Sequence, residues 1–369
     1  MEKRKQEEPE KNESVVRLEE LGIEQPIEYA FSVQEEKDGN GEKIDAEVFW
    51  LKFPAVKEYP ESLPVEGKMY FPKKIQNGEA VIFVPGYPSG KAGRWERNYV
   101  NSLVNEGYIV ADLRHNSTPL ASQSPVEVFN CEQRIQESRG ETHLGQKEGG
   151  FVLSDLIGEP LSVIKAVEPL VSRIKLVGHS FGAASLWYSV GQLAKRDPAV
   201  ADKITHMISL AGYLSEGKVS EAGIWQGMKT DLDRLVQMEL EDEQESGVLG
   251  SDDLGRIKES ILKIAEASKD LKLPEAATQI LVYSPDDPFI SSPVIKVARE
   301  DGREVVSEYN YPGVNKKTLV VEDRTQDRKF HSLPGLLPKT LSRFLNMKGG
   351  KTPHFVVVKA KLPKEERKV

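Results

Sequence analysis

The chain has 369 residues, 58 acidic against 50 basic side chains, and a formal net charge of -8. That length suits one large α/β domain with an insertion. The acidic balance argues against nucleic acid or an anionic membrane surface as the main partner, and the single cysteine, Cys131, excludes an internal disulfide and a Cys-ligated metal site.

At the N-terminus a basic pentapeptide runs into Gln6-Glu7-Glu8-Pro9-Glu10, where a signal peptide needs an apolar run. No segment approaches the length of a membrane span, so a soluble, cytoplasmic protein is expected. Residues 1–20 read as a frayed tail or a surface helix. Over 26–71, Ile27, Tyr29 and Phe31 alternate with more polar neighbours, and Ala46, Val48 and Trp50 start a second alternating run. Lys37-Asp38-Gly39-Asn40-Gly41 between them is turn chemistry, and 65–71 reads as a third strand. This is an antiparallel lead-in to a sheet.

The period then becomes β/α. Residues 80–84 are wholly apolar, as a central parallel strand should be. A helix is expected over 94–106, stopped by Gly107, and a strand over 108–111. Residues 115–150 form a long connection rich in Ser, Pro, Gly, Gln and Glu. Helix follows over 151–167, with a break or fresh start at Pro160. Strands are expected at 174–177, 204–210, 279–283 and 318–321, with an extra strand at 305–309. A closing helix is expected over 333–344 and an edge strand over 355–358. Between 213 and 275, Leu232, Leu235, Val236 and Met238 suggest one amphipathic helix, and Leu254, Ile257, Ile261 and Ile264 another. That segment is longer than a normal crossover and is read as a helical cap. The expected fold is α/β, with a doubly wound, mostly parallel central sheet and antiparallel N-terminal strands. The core spans 21–212 and 276–348, the cap 213–275, and tails 1–20 and 349–369.

Gly178-His179-Ser180-Phe181-Gly182 follows the strand at 174–177 and precedes a plausible helix opening at Ala183-Ala184-Ser185. A buried strand, a tight turn carrying a serine between small residues, and a helix make a nucleophile elbow. A Cβ at Gly178 or Gly182 would collide where strand and helix crowd together. The helix N-terminus presents backbone N–H groups that stabilise developing negative charge.

A serine hydroxyl needs an adjacent base. Of six histidines, His331 follows the last core strand, at the C-terminal sheet edge where sites of open α/β sheets form. His354 is the reserve, and His115 and His143 lie in the long connection upstream of the serine. Asp286 and Asp287, in the turn-rich stretch after 279–283, can each supply the carboxylate that orients the base. Asp323 and Asp327 compete from what reads as a charged surface loop. Oxyanion donors are the Phe181 amide and an amide of Val84-Pro85-Gly86-Tyr87-Pro88. The prolines have no N–H, which leaves Gly86 and Tyr87, with Tyr87 preferred.

With these pieces in place the sequence resembles the α/β-hydrolase superfamily over about residues 80–344, in its serine-nucleophile branch with a helical cap. The order Ser180, Asp287, His331 is the superfamily's order, and its acid loop aligns so as to select Asp287 over Asp286. Gly86-Tyr87-Pro88 resembles its oxyanion loop. Two departures stand out: Pro85 replaces the usual His, and His115-Asn116-Ser117 replaces a glycine-rich continuation. The resemblance implies a serine hydrolase of esterase or lipase type, acting on a small-molecule ester or amide without metal or organic cofactor. A serine peptidase or acyltransferase would use the same triad, and a non-catalytic ligand-binding protein would use the same scaffold. Trp225, Met228 and Phe289 are candidates to line an apolar pocket beneath the cap.

Overall fold

The computed structural model describes residues 13–24, 27, 30–38, 40–75, 78–86, 94–115, 153–212, 271–285, 287, 294–309, 317–323, 333, 336, 338–348 and 354–358. The first element among the described residues is helix α1 (Glu13–Glu20), the helix alternative for this stretch, which buries Val15 and Leu18 against the core. Strands β1 (Ala30–Ser32), β2 (Ala46–Phe53) and β3 (Val65–Pro72) pair antiparallel in that order, as the alternation predicts. Strand β4 (Glu79–Val84) is buried along its whole length, as expected of a strand covered on both faces. After it come helix α2 (Arg94–Asn105) and strand β5 (Ile109–Arg114), whose Glu66–Arg114 to Tyr70–Val110 register joins it antiparallel to β3.

The helical stretch before the serine is split as the sequence indicates. Short α3 (Leu153–Leu156) ends, and α4 (Glu159–Val167) restarts with Pro160 in its first turn, where a missing N–H costs nothing. Strand β6 (Arg173–His179), helix α5 (Phe181–Arg196), helix α6 (Pro198–Asp202) and strand β7 (Ile204–Leu210) follow. Strand β8 (Thr278–Tyr283) resumes the sheet; residues 213–270, most of the expected cap, lie outside the described residues. Strands β9 (Val294–Ala298) and β10 (Glu304–Tyr309) make a separate antiparallel pair, so the extra strand near 305–309 exists but does not extend the main sheet. Strand β11 (Thr318–Asp323), helix α7 (Pro338–Asn346) and strand β12 (His354–Val358) are the last elements among the described residues.

The closing helix starts five residues later than the sequence suggested. Leu333 sits at φ 48°, outside the helical region, and Pro338 opens α7 with a φ already set for a helix. Asp323, expected in a surface loop, is instead the last residue of β11 and is buried.

The strand order of the main sheet is β1-β2-β3-β5-β4-β6-β7-β8-β11-β12, and every pair from β5 to β12 is parallel. Each face has its own apolar layer. Ile174 and Leu176 of β6 join α1, α4 and α5, while Val177 joins α2 and α7 on the opposite side. This is the doubly wound arrangement expected. Among the described residues no helix is long and apolar enough to cross a membrane.

Asp38 helps to anchor the loop between β1 and β2. Asp38 accepts from the backbone N–H of Asn40 (2.8 Å) and of Glu42 (3.0 Å), and from the Asn101 side chain on α2 (2.9 Å). Burial works against its charge, but the donors outweigh that and hold its pKa below the ordinary value of 3.8. A lowered folded-state value means stability present above the ordinary carboxyl range and lost as pH falls through it. Asp38→Ala should therefore cost about 2 kcal/mol at neutral pH, read as a lowered denaturant midpoint. The gap to the parent should narrow as pH approaches 3.8 and below.

Candidate active site

The site is built where parallel strands end. Val84 pairs with Gly178, His179 with Leu210, and Phe83 with Asp112. Carried past these pairs, the register puts His115, Gly86, Ser180 and Ala211 at one level across β5, β4, β6 and β7. Ser180 directly follows β6 and is the N-cap of α5, with φ 52° and ψ -121°. An L-residue reaches that conformation only when its surroundings impose it, at a cost of about 1–3 kcal/mol.

The imposed contacts are explicit. A Cβ on Gly178 would lie 2.6 Å from Ala183 Cα and 2.7 Å from Ala183 N, in the first turn of α5. A Cβ on Gly182 would lie 2.2 Å from the Val84 carbonyl oxygen and 2.4 Å from that of Pro85. The crowding expected of both glycines is therefore present, but Gly182 meets the neighbouring strand β4 rather than β6. The Ser180 N–H donates to Leu210 O (2.9 Å), and Ala183 N–H donates to Ser180 O (3.1 Å), tying the turn to β7 and to the helix.

Gly86 closes the other side. A Cβ there would stand 3.0 Å from Ser180 Cβ and 2.9 Å from His179 Nδ1. The loop after β4 thus touches the serine, and the His179 ring flanks that loop. Phe181, directly after the serine, is fully buried. Asp287 lies just past β8 and is half-buried, and its N–H donates to Ser284 O (3.2 Å) in a turn. Tyr87, Asp286, Phe289, His331, Trp225 and Met228 lie outside the described residues, as do His143 and Asp327.

Other histidines are removed from the serine by geometry. His206 aligns with Lys175, five residues and ~16 Å below Ser180, and donates through Nε2 to Met347 O (2.6 Å). Burial lowers its pKa. His354, the reserve base, opens β12. Through Leu319, Ile280 and Ile208 its backbone aligns with Val177, four strands and ~19 Å from β6. That distance rules it out as a partner of Ser180.

His115 is where sequence reasoning missed most. It opens the long connection directly after β5, and it is buried rather than exposed. Its Nδ1 is 2.6 Å from Glu159 Oε2 and its Nε2 is 2.9 Å from Pro85 O. Its ring lies 5.1 Å from the Phe181 ring at an angle of 57°. Both ring nitrogens are engaged, so His115 is not a base for Ser180. The available signal was Glu159, a carboxylate opening a mostly apolar helix, Glu-Pro-Leu-Ser-Val-Ile-Lys-Ala-Val.

No protein-family model and no curated protein matches the chain. Among solved structures, Candida antarctica lipase A is similar at 13% identity and TM-score 0.49, covering 94% of this chain and 87% of that one. An esterase of Pyrococcus furiosus is similar at 12% identity and TM-score 0.43, over 90% and 94% of the two chains. Acetyl xylan esterase 1 of a Thermoanaerobacterium species is similar at 13% identity and TM-score 0.43, over 95% and 87%. At these values the likenesses carry no argument about substrate or mechanism. The chain's own topology decides the architecture: a parallel sheet with β4 and β5 interchanged, an antiparallel lead-in, and a serine turn between central strand and helix. This is the strand order and serine turn that the α/β-hydrolase resemblance implies.

Ser180→Gly removes the conformational penalty, because glycine enters the φ > 0 region freely. Against Ser180→Ala, which keeps the strain, Ser180→Gly should be more stable by about 1 kcal/mol. Paired denaturant titrations of the two variants measure the difference.

Proposed function

We propose that the chain is a serine hydrolase that cleaves a carboxylic ester through an acyl-enzyme on Ser180. The observation that carries this reading is the backbone of Ser180, held at φ 52° and ψ -121° at the end of a central strand with a helix N-terminus behind it. Strain of that kind is retained where a site needs it. The contact of Gly86 with Ser180 supports it further, since a loop bearing oxyanion donors must approach the nucleophile.

In the proposed reaction Ser180 Oγ attacks the ester carbonyl carbon. His331 takes the hydroxyl proton, and Asp287 orients His331 and stabilises its imidazolium. The carbonyl oxygen gains the electron pair and is held by the amides of Phe181 and Tyr87. Collapse expels the alcohol, which receives the proton from His331. Water, deprotonated by His331, then attacks the acyl-enzyme and releases the acid and free Ser180. Neither metal nor organic cofactor takes part.

Residues 213–275 form the proposed cap. The segment leaves from the C-terminal end of β7, one strand from Ser180, so it starts on the edge where substrate would bind. Trp225, Met228 and Phe289 would give that cover an apolar lining suited to the acyl group.

Ser180→Ala should abolish turnover of p-nitrophenyl esters and labelling by a fluorophosphonate, with the fold retained by circular dichroism. Full activity in that variant rejects the reading. His331→Ala should lower kcat by ~10⁶-fold, and Asp287→Asn by ~10⁴-fold. Asp323 is buried at the same edge and is the competing acid. A larger loss in Asp323→Asn than in Asp287→Asn would move the acid to β11.

A further inference from the structure

Gly86 poses a mechanical problem that His115 solves. The loop after β4 has no room for a side chain at residue 86, because Ser180 and His179 fill the space. Glycine fits, but it also frees the backbone at the point where oxyanion donors need a fixed direction. Pro85 and Pro88 restrict their own φ but leave the Gly86 torsions free, so a further brace has to come from outside the loop. The described structure offers one such brace: Pro85 O accepts from His115 Nε2 at 2.9 Å.

We propose that His115, held by Glu159, is a positioning residue that locks the Pro85–Gly86 peptide and so aims the loop's amides at the oxyanion. This rests on the hydrolase reading above. A carbonyl oxygen only accepts, so Nε2 must carry a proton. On the other side, Nδ1 and Glu159 Oε2 stand 2.6 Å apart and share one proton. Whichever partner owns it, Nε2–H stays directed at Pro85 O. Neither side chain is exposed to solvent, so water does not compete for these bonds. Because the peptide is trans and planar, fixing the Pro85 C=O fixes the Gly86 N–H in the opposite direction. The Pro85 oxygen also abuts Gly182 in the first turn of α5. The same imidazole rests against the ring of Phe181, whose amide is the other proposed donor. One buried pair thus buttresses the peptide that leads into the proposed Tyr87 donor and the residue that carries the other. It touches no substrate, and its effect is on geometry.

The test compares substitutions that keep or remove the donor to Pro85. His115→Leu removes it and should lower kcat on a p-nitrophenyl ester by ~10²-fold while KM stays within about threefold. His115→Gln carries an amide N–H to the position of Nε2 and should recover kcat to within ~10-fold of the parent. A folded His115→Leu variant with parental kcat, a loss confined to KM, or a Gln variant as impaired as Leu overturns the proposal. If the Leu variant does not fold, Gln is compared with Asn, whose amide reaches only the Nδ1 position. A kcat for Gln at least ~10-fold above Asn supports the brace, and a smaller difference overturns it. Absence of ester turnover and of fluorophosphonate labelling in the parent is a failure of the hydrolase reading, seen before any variant is made. The tether is then read without turnover. A slowly exchanging proton on His115 Nε2 in nitrogen-15 NMR of the parent supports it, and a bare Nε2 overturns it.

Discussion

The Val84 carbonyl oxygen and the first turn of α5 come so close that even one methyl group between them would overlap. That approach sets the angle at which the helix leaves the sheet, and the angle forces Ser180 into its unfavourable backbone conformation. The strain is affordable because it is surrounded by firm structure. Both faces of β6 are covered by apolar layers, and the turn is bonded to β7 through Leu210. A serine on a loosely held loop would relax to an ordinary conformation and lose its direction. Here the cost is spread over a sheet interior, where close packing resists adjustment.

The same edge gathers everything else of interest. Parallel strands end together, so residues distant in sequence arrive side by side without any long-range specification beyond strand order. His115 and Ser180 are neighbours of β4 on opposite sides for that reason. Burying a carboxylate and an imidazole beside this edge is costly unless their bonds are complete. Glu159 Oε2 and His115 Nδ1 bond to each other, and Pro85 O takes the imidazole's remaining donor. A purely apolar pair would fill the space at lower cost but could not hold a carbonyl oxygen.

Much of this was legible in the residues. Strands with unbroken apolar runs, such as β4, and helices bounded by clear stops announced themselves, because burial on both faces and local backbone chemistry act within a few residues. Ser180 was legible because Gly178 and Gly182 encode a contact that any side chain would block. What the residues did not disclose was tertiary. Nothing local says that Asp323 ends a strand inside the protein, or that Val294–Ala298 pairs with Glu304–Tyr309 away from the main sheet. His115 looked like the first residue of a polar connection, since its partners lie 44 and 30 positions away. A polar residue's surroundings depend on which strands become neighbours, and periodicity carries no trace of that.

The last strand has a practical bearing on how the protein can be handled. β12 runs parallel to β11, with Asp323 opposite Val358, so the backbone leaving Val358 emerges on the same rim as the Ser180 turn. Four strand spacings, roughly 19 Å, separate the two. Whatever follows Val358, an appended tag or reporter included, sets out from that rim. Shielding of that face by the appended protein is a design concern for any C-terminal fusion.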